Sequence, residues 1–169
     1  MVGLASATGT ARLLLYHIEK ETGARFKYVS FKGGSDAAAA VMGNHVHLTT
    51  ENVSEVYGAV ESKRLRILAV PAAQRLAALP DVPTLRELGY NIHVGSGRGF
   101  GMPAGVPKEA AAIMEAALER AHKSPLWQDY ATKNMYENTY MGSAEFSKYL
   151  ASHLQEIGDF MVAVGIKKP

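Results

Sequence analysis

Residues 28–47 read YVSFKGGSDAAAAVMGNHVH, and this stretch sets the pattern of the chain. The β-branched and aromatic residues at its start are typical of a strand, and the alanine-rich run is typical of a short helix ending at Gly43-Asn44. Ser35 is predicted to cap that helix. A glycine pair, Gly33-Gly34, separates the two elements and lets helix N–H groups approach an anion closely. The stretch therefore raises the question of which anion, if any, this turn faces.

The same rhythm extends on both sides of this stretch. Strand-like runs are predicted at residues 2–6, 26–31, 46–50 and 66–70. The first helix has Ala11, Leu14, Leu15 and Ile18 on one face, and Gly23 is predicted to end it in a left-handed cap. A third helix is expected at 56–61. Strands that alternate with short helices predict an α/β fold, with a mainly parallel sheet covered by helices.

Polar turns follow the first three predicted strands. They are Ser6-Ala7-Thr8-Gly9-Thr10, Lys32-Gly33-Gly34-Ser35 and Glu51-Asn52-Val53-Ser54. The carboxyl ends of parallel strands share one edge of a sheet, and ligands of such sheets bind there. Ordinary helix capping explains each turn taken alone, whereas several turns on one edge favour a binding site.

The composition changes after residue 70. Residues 79–109, LPDVPTLRELGYNIHVGSGRGFGMPAGVPKE, are rich in proline and glycine and are predicted to cross between lobes, with one helical turn between Pro83 and Gly89. Two amphipathic helices are expected beyond them, beginning at Pro107 and at Ser143. A short helix and one strand are expected within 125–140.

Totals and motifs exclude several classes of function. The net charge of +2 is too small for a nucleic-acid partner, and no apolar run approaches the roughly 20 residues of a membrane helix. The chain contains no cysteine, which excludes disulfides and thiolate chemistry. His45 and His47 share a strand face, but only Glu51 is nearby as a third metal ligand, so no metal is expected. A Gly-x-Ser-x-Gly elbow and a suitably spaced acid pair are also missing, and neither an enzyme nor a cofactor is predicted.

The segment GSGRGFG, residues 95–101, superficially matches a dinucleotide-binding loop. Such a loop must open a helix, yet Pro103 follows closely and the next helix is expected only at Pro107. A better interpretation is an arginine, Arg98, on an uncrowded backbone. Its guanidinium is suited to grip a carboxylate with two hydrogen bonds, although a plain surface arginine explains the pattern equally well.

Three stretches, residues 28–56, 63–90 and 95–109, resemble the extracytoplasmic solute-binding proteins of tripartite tricarboxylate transporters. Members typically show an aromatic-x-Gly-Gly turn, Gly-x-His-Val, LPDVPT and Pro-Ala-Gly-x-Pro. These marks occur here in that order, at residues 31–34, 43–46, 79–84 and 103–107. The resemblance runs from about residue 2 to the C-terminus.

The resemblance implies a lobe like those of type II periplasmic binding proteins. Residues 1–98 are expected to form the second lobe of a bilobal fold, and 99–169 a mainly helical return segment that completes the first lobe. Members are about twice this length, so the N-terminal lobe and an export signal are expected to lie outside this chain. The apolar faces of 107–122 and 143–164 would then need another cover, and a homodimer is predicted.

The resemblance also implies a periplasmic receptor that binds a small organic carboxylate in the cleft between lobes and serves membrane transport subunits. The family holds its ligand largely through main-chain amides, small hydroxyls and water. The corresponding positions here are Ser6, Thr8, Gly9, Thr10, Gly33, Gly34, Ser35, Glu51, Asn52, Ser96 and Arg98. Gly33-Gly34 is therefore expected to face a carboxylate rather than a phosphate.

Two departures from the family pattern bear on the ligand. His47 stands where members carry Asp, and the third turn begins with the acidic Glu51, which disfavours an anion unless Arg98 neutralises it. One alternative is a small-molecule-sensing domain of a regulator with the same type of fold, although the sequence shows no helix-turn-helix. The other is an enzyme of unknown type.

Overall fold

The computed structural model describes residues 1–6, 8–95 and 97–166. The chain forms two compact units, Met1–Gly95 and Ser96–Pro169. Each unit is described separately below. The assignment of 1–98 and 99–169 to the two lobes of a bilobal protein stays a prediction.

A small parallel sheet organises the first unit. Its strands are β1 (Val2–Leu4), β2 (Tyr28–Ser30) and β3 (Leu48–Thr49), in the order β2-β1-β3. Both neighbours run parallel to β1, and Val2 is in register with Tyr28 on one side and Leu48 on the other. The helices α1 (Thr10–Thr22), α2 (Gly34–Met42) and α3 (Val53–Glu61) follow the three strands in turn. This alternation confirms the predicted α/β fold.

The core of this unit forms where α1 covers the sheet. Val2, Leu4 and Leu15 are almost completely buried together, and half-buried residues of α1 and β2 pack around them. The helix ends at Gly23, whose φ of 72° places it in the left-handed region that glycine adopts without strain. The glycine cap is therefore confirmed. Three residues of the predicted face, Ala11, Leu15 and Ile18, pack on the sheet, but Leu13 rather than Leu14 is the other buried leucine of α1.

Close packing on β1 requires a residue without a side chain at position 3. A Cβ atom there would lie 3.0 Å from the Phe31 ring and 3.3 Å from the side chains of both Ala37 and Val46. Ala37 belongs to α2 and is fully buried. The alanine-rich sequence of α2 thus reflects its close approach to the central strand.

Three local predictions in this unit are wrong. Of the strand predicted at 46–50 only Leu48–Thr49 forms, so His45 and His47 do not share a strand face. Residues 66–70 do not form a strand, because Val70 pairs its backbone with the LPDVPT segment: its N–H donates to the Pro83 carbonyl, and it forms an isolated bridge with the buried Thr84. Leu68 remains 57% exposed, so the run lacks the burial that would hold it in a sheet. Ser35 does not cap α2, since Gly33 occupies the N-cap position and no side chain caps the helix there.

The described part of the second unit, residues 97–166, contains three helices. They are α4 (Lys108–Lys123), α5 (Pro125–Lys133) and α6 (Ser143–Ala163). The side chain of Ser124 caps α5 by accepting a hydrogen bond from the Trp127 N–H at 3.3 Å. The strand predicted within 125–140 is wrong, because those residues form α5 and an irregular connection.

The amphipathic patterns of α4 and α6 correctly predict helices, but several of their apolar residues are exposed. Ile113 is 70% exposed and Leu154 is 66% exposed, whereas Phe160 of α6 is almost completely buried. Dimerisation through these faces stays a prediction. Within the described ranges, none of the helices combines the length and apolar character that a bilayer crossing needs.

Candidate functional site

The candidate site lies at the edge of the sheet where the three parallel strands end. The chain leaves the central strand β1 for β2 on one side and later returns to β3 on the other side. In open α/β sheets, ligands bind at the carboxyl ends of the strands where the strand order reverses in this way. The turns after β1 and β3 flank that point, and the turn after β2 lies on the far side of β1.

The first turn leads into α1 and presents an open helix N-terminus. Gly9 is the N-cap of α1, and among the described residues no side chain caps it. Ser6 Oγ instead accepts a hydrogen bond from the Thr8 N–H at 3.3 Å. The first helical turn begins at Thr10 and contains no acidic residue. Backbone N–H groups and the positive end of the helix dipole therefore face this turn without a carboxylate of the helix to balance them. Ala7 lies outside the described residues.

The second turn, Gly33-Gly34, is already occupied by a carboxylate of the chain itself. Glu51 reaches from the third turn to Gly34, so closely that a side chain at position 34 would overlap its carboxylate. An oxygen of Glu55 would lie 2.8 Å from a Cβ atom at the same position. Both carboxylates beside this turn belong to the protein itself, and a ligand carboxylate at Gly33-Gly34 stays a prediction. Ser35 is exposed within the first turn of α2.

Hydroxyl and amide groups fix the third turn between β3 and α3. Thr49 Oγ1 lies 2.6 Å from Glu51 Oε1 and 3.1 Å from the Gly3 carbonyl, so its single proton can serve either acceptor. Asn52, the N-cap of α3, donates from its side chain to Glu55 Oε1 at 2.6 Å. The structure thus brings Gly33, Gly34, Glu51 and Asn52 together.

A hydrogen bond connects the third turn to the start of α1. Thr50 Oγ1 donates to the carbonyl of Ala11 at 3.5 Å. Ala11 follows the predicted site residue Thr10 directly in the first turn of α1. The first and third turns are therefore neighbours on this edge of the sheet.

The electrostatics of the third turn make the charge of Glu51 less favourable than that of an exposed glutamate. Burial raises the pKa of Glu51, the hydrogen bond from Thr49 partly opposes that rise, and the nearby Glu55 carboxylate adds to it. The segments β1, β3, α2 and α3 contain no basic residue that could reverse this effect. Glu51 is consequently the acid of this edge whose charge is least favourable.

Arg98, the predicted carboxylate ligand of the second unit, stacks on an aromatic ring. Its guanidinium carbon lies 4.7 Å from the centre of the Tyr136 ring, which in turn meets Tyr130 edge to face at 6.0 Å. Such stacking holds a guanidinium plane while leaving its N–H groups free to bind at the edge. Ser96, the other predicted site residue of this segment, lies outside the described residues.

The glycines beside Arg98 allow the backbone to lie against aromatic rings of α6. A Cβ at Gly97 would lie 2.8 Å from the Tyr149 ring, and one at Gly99 would overlap the ring of Phe146. Those two rings are themselves stacked, with centres 5.9 Å apart. Gly97 and Gly99 of the GSGRGFG segment therefore serve close packing.

We expect Gly99→Ala to destabilise the protein by about 1–3 kcal/mol, because the added methyl group collides with a ring that is already packed. Denaturant unfolding followed by circular dichroism measures this loss. Gly101→Ala is the matched control, since nothing lies within 4 Å of a Cβ atom there. Equal unfolding midpoints for the two variants would contradict this description of the segment.

Several residues of the site were not predicted from sequence. The sequence pattern places Thr49 and Thr50 in a strand and predicts no role for their hydroxyls, although hydroxyls at the end of a strand are available for hydrogen bonds with neighbouring turns. The spacing Asn52-x-x-Glu55 matches the capping-box arrangement and was a usable signal for the role of Glu55. Tyr136 had no such signal, because its contact with Arg98 joins residues far apart in the chain.

The chain matches a protein family and several known proteins. The TctC model, described as the tripartite tricarboxylate transporter family receptor, matches residues 2–166. The UPF0065 protein in the gbd 5′ region of Cupriavidus necator is 26% identical over 166 residues, covering 98% of this chain and 50% of that protein. Protein BugT of Bordetella pertussis is 35% identical over 86 residues, covering 51% of this chain and 26% of that protein.

Solved structures show the same relationship. A crystal structure of a TctC solute binding protein from Polaromonas has a TM-score of 0.79 and 29% identity, covering 93% of this chain and 55% of that chain. The structure of R. palustris Rpa4515 with adipate has a TM-score of 0.77 at 21% identity, and it shows the shared fold, over 98% of this chain and 55% of that chain. This chain spans about half the length of the Cupriavidus protein and of both structures. The match over residues 2–166 establishes that the chain belongs to the receptor family of tripartite tricarboxylate transporters.

Proposed function

We propose that this chain binds a small organic carboxylate as part of the periplasmic receptor of a tripartite tricarboxylate-type transporter. The observation that carries the proposal is the family match over residues 2–166. The family consists of solute receptors rather than enzymes, so the expected function is capture and delivery of a ligand to membrane transport subunits. This proposal includes the ligand class, the transporter partner and the location.

The structures of two relatives favour a dicarboxylic acid as the ligand. Rpa4515 was solved with adipate, and MatC from Rhodopseudomonas palustris with bound malate. Both ligands carry two carboxylates on a short carbon chain. We therefore propose a ligand of this size and charge for the present chain.

The first turn is the best place on the sheet edge for a ligand carboxylate. The N-terminus of α1 has neither a side-chain cap among the described residues nor an acid in its first turn, whereas Glu51 and Glu55 reach the N-terminus of α2. Ser6, Thr8 and Thr10 supply three hydroxyl groups in this turn and at the start of α1. An anion gains hydrogen bonds and dipole stabilisation there at little steric cost.

A thermal unfolding screen tests this function. The screen uses malate, adipate, citrate, succinate, glutamate and an aromatic dicarboxylate. Each is added at about 100 times the expected dissociation constant of about 1 mM, a concentration at which a bound ligand stabilises the folded protein by about 2.7 kcal/mol. We expect at least one acid to raise the unfolding midpoint by several degrees. Sodium chloride at equal ionic strength is the control, and midpoints that never exceed those of the salt control would contradict the proposal.

A further inference from the structure

We infer that Glu51 is a specificity-determining residue of the receptor: its carboxylate lies against Gly34 at the N-terminus of α2 and keeps a ligand carboxylate out of the Gly33-Gly34 turn until Glu51 is neutralised. This inference rests on the proposed function, because it concerns which ligands the sheet edge accepts. The main-chain N–H groups beside Glu51 attract a ligand carboxylate, whereas the Glu51 carboxylate repels one.

Geometry shows that Glu51 is held in this position from both sides. One carboxylate oxygen accepts the short hydrogen bond from Thr49 Oγ1, at 2.6 Å. The other oxygen contacts Gly34 at the first residue of α2, where any side chain would displace it. That oxygen stands beside the first residue of α2, where the positive end of the helix dipole favours a negative charge. The chain therefore supplies its own anion at the second turn.

The surrounding charges make a further anion unfavourable. Every charged residue of β1, β3, α2 and α3 is acidic, namely Asp36, Glu55 and Glu61. Lys32 precedes the turn and is exposed. Arg12 of α1 is directed elsewhere, because it pairs with Glu19 at 3.5 Å and stacks over the Tyr28 ring at 4.1 Å. A ligand carboxylate at Gly33-Gly34 would stand beside Glu51 and Glu55, and like charges at this distance repel.

Protonation of Glu51 removes this obstacle without breaking its contacts. A neutral Glu51 can donate a hydrogen bond to a ligand carboxylate or to Thr49, and the Thr49 proton can then turn to the Gly3 carbonyl, 3.1 Å away. Burial already raises the pKa of Glu51, so the proton is gained at a higher pH than by an exposed glutamate. Carboxylate affinity is therefore expected to rise as the pH falls from neutral towards the pKa of Glu51.

Calorimetric titration with malate at about pH 7.5 and about pH 5.5 tests the inference on the full chain and on Glu51→Gln. The neutral amide keeps the size of the side chain and can donate a hydrogen bond to the ligand. We expect Glu51→Gln to bind malate about tenfold more tightly than the wild-type chain at the higher pH. The affinity of the wild-type chain should rise at the lower pH, whereas that of Glu51→Gln should change little.

Glu61→Gln is the matched control, because it removes one negative charge at the last residue of α3, at the opposite end of that helix. It should leave malate affinity unchanged at both pH values. Unfolding midpoints of all three proteins verify that each is folded at both pH values.

The outcomes separate this inference from the proposed function. If the wild-type chain binds malate and Glu51→Gln binds it equally or less tightly at neutral pH, the receptor function stands and the role of Glu51 is overturned. If neither protein binds malate or any other acid of the thermal unfolding screen up to about 10 mM, the receptor function and the role of Glu51 are both overturned.

Discussion

Leu15→Ala is expected to remove about 2–5 kcal/mol from the free energy of unfolding, because it empties a fully enclosed site in the apolar cluster between α1 and the sheet. A loss of this size is a large share of the 5–15 kcal/mol that typically stabilises a folded domain. Urea unfolding monitored by circular dichroism measures it. Leu88→Ala, at a position that is 50% exposed, is the control and should change stability by less than about 0.5 kcal/mol.

The effect of Leu15→Ala should extend to the candidate site. Leu15 packs against Val2 and Leu4 of the central strand, and the first turn of the site follows that strand directly. Loosening this contact removes the support that sets the N-terminus of α1 beside the third turn. A loss of stability below about 1 kcal/mol would contradict the account of the core.

Arg98→Ala should weaken carboxylate binding by about 10- to 100-fold. A hydrogen bond to a charged group contributes about 1.5–3 kcal/mol, and each 1.4 kcal/mol corresponds to a factor of ten in the dissociation constant. Arg98→Lys should recover only part of the affinity, because an ammonium group keeps the charge and loses the two-pronged geometry and the stacking on Tyr136. NMR titration of each variant with malate or adipate measures the constants.

A matched variant distinguishes a specific role of Arg98 from a general effect of charge. Arg66 is also an exposed arginine, and it is not part of any of the turns that form the candidate site. Arg66→Ala removes the same charge and should leave the affinity within about twofold of wild type. If Arg98→Ala behaves like Arg66→Ala, the guanidinium of Arg98 does not bind the ligand.

Local sequence signals predicted the elements of the first unit well. The apolar spacing of α1 and its closing Gly23 depend on neighbours along the chain, so they are visible without a structure. The run at 66–70 has equally good strand-forming residues, but whether it joins the sheet depends on a segment that is distant in the sequence. Val70 pairs with the segment around Thr84, and no local pattern shows that choice.

The sequence predicts which edge of the sheet carries the candidate site, but it does not predict how the charged side chains are arranged there. Parallel strands bring the three turns to one edge, so Gly9, Gly33 and Asn52 could be grouped from sequence alone. The contact of Glu51 with Gly34 joins two different turns, and it depends on how α2 and α3 are placed over the sheet. The sequence therefore predicts that Glu51 disfavours a bound anion, but it does not reveal that Glu51 contacts the Gly33-Gly34 turn.

The most direct test of the central claim is calorimetric titration of this chain with malate, adipate and citrate. The account predicts saturable heat with one site for at least one acid, with a dissociation constant of about 1 mM or lower. Absence of saturable heat for every acid up to about 10 mM, in protein shown to be folded, would contradict a carboxylate receptor. That result would favour the sensing domain of a regulator as the alternative.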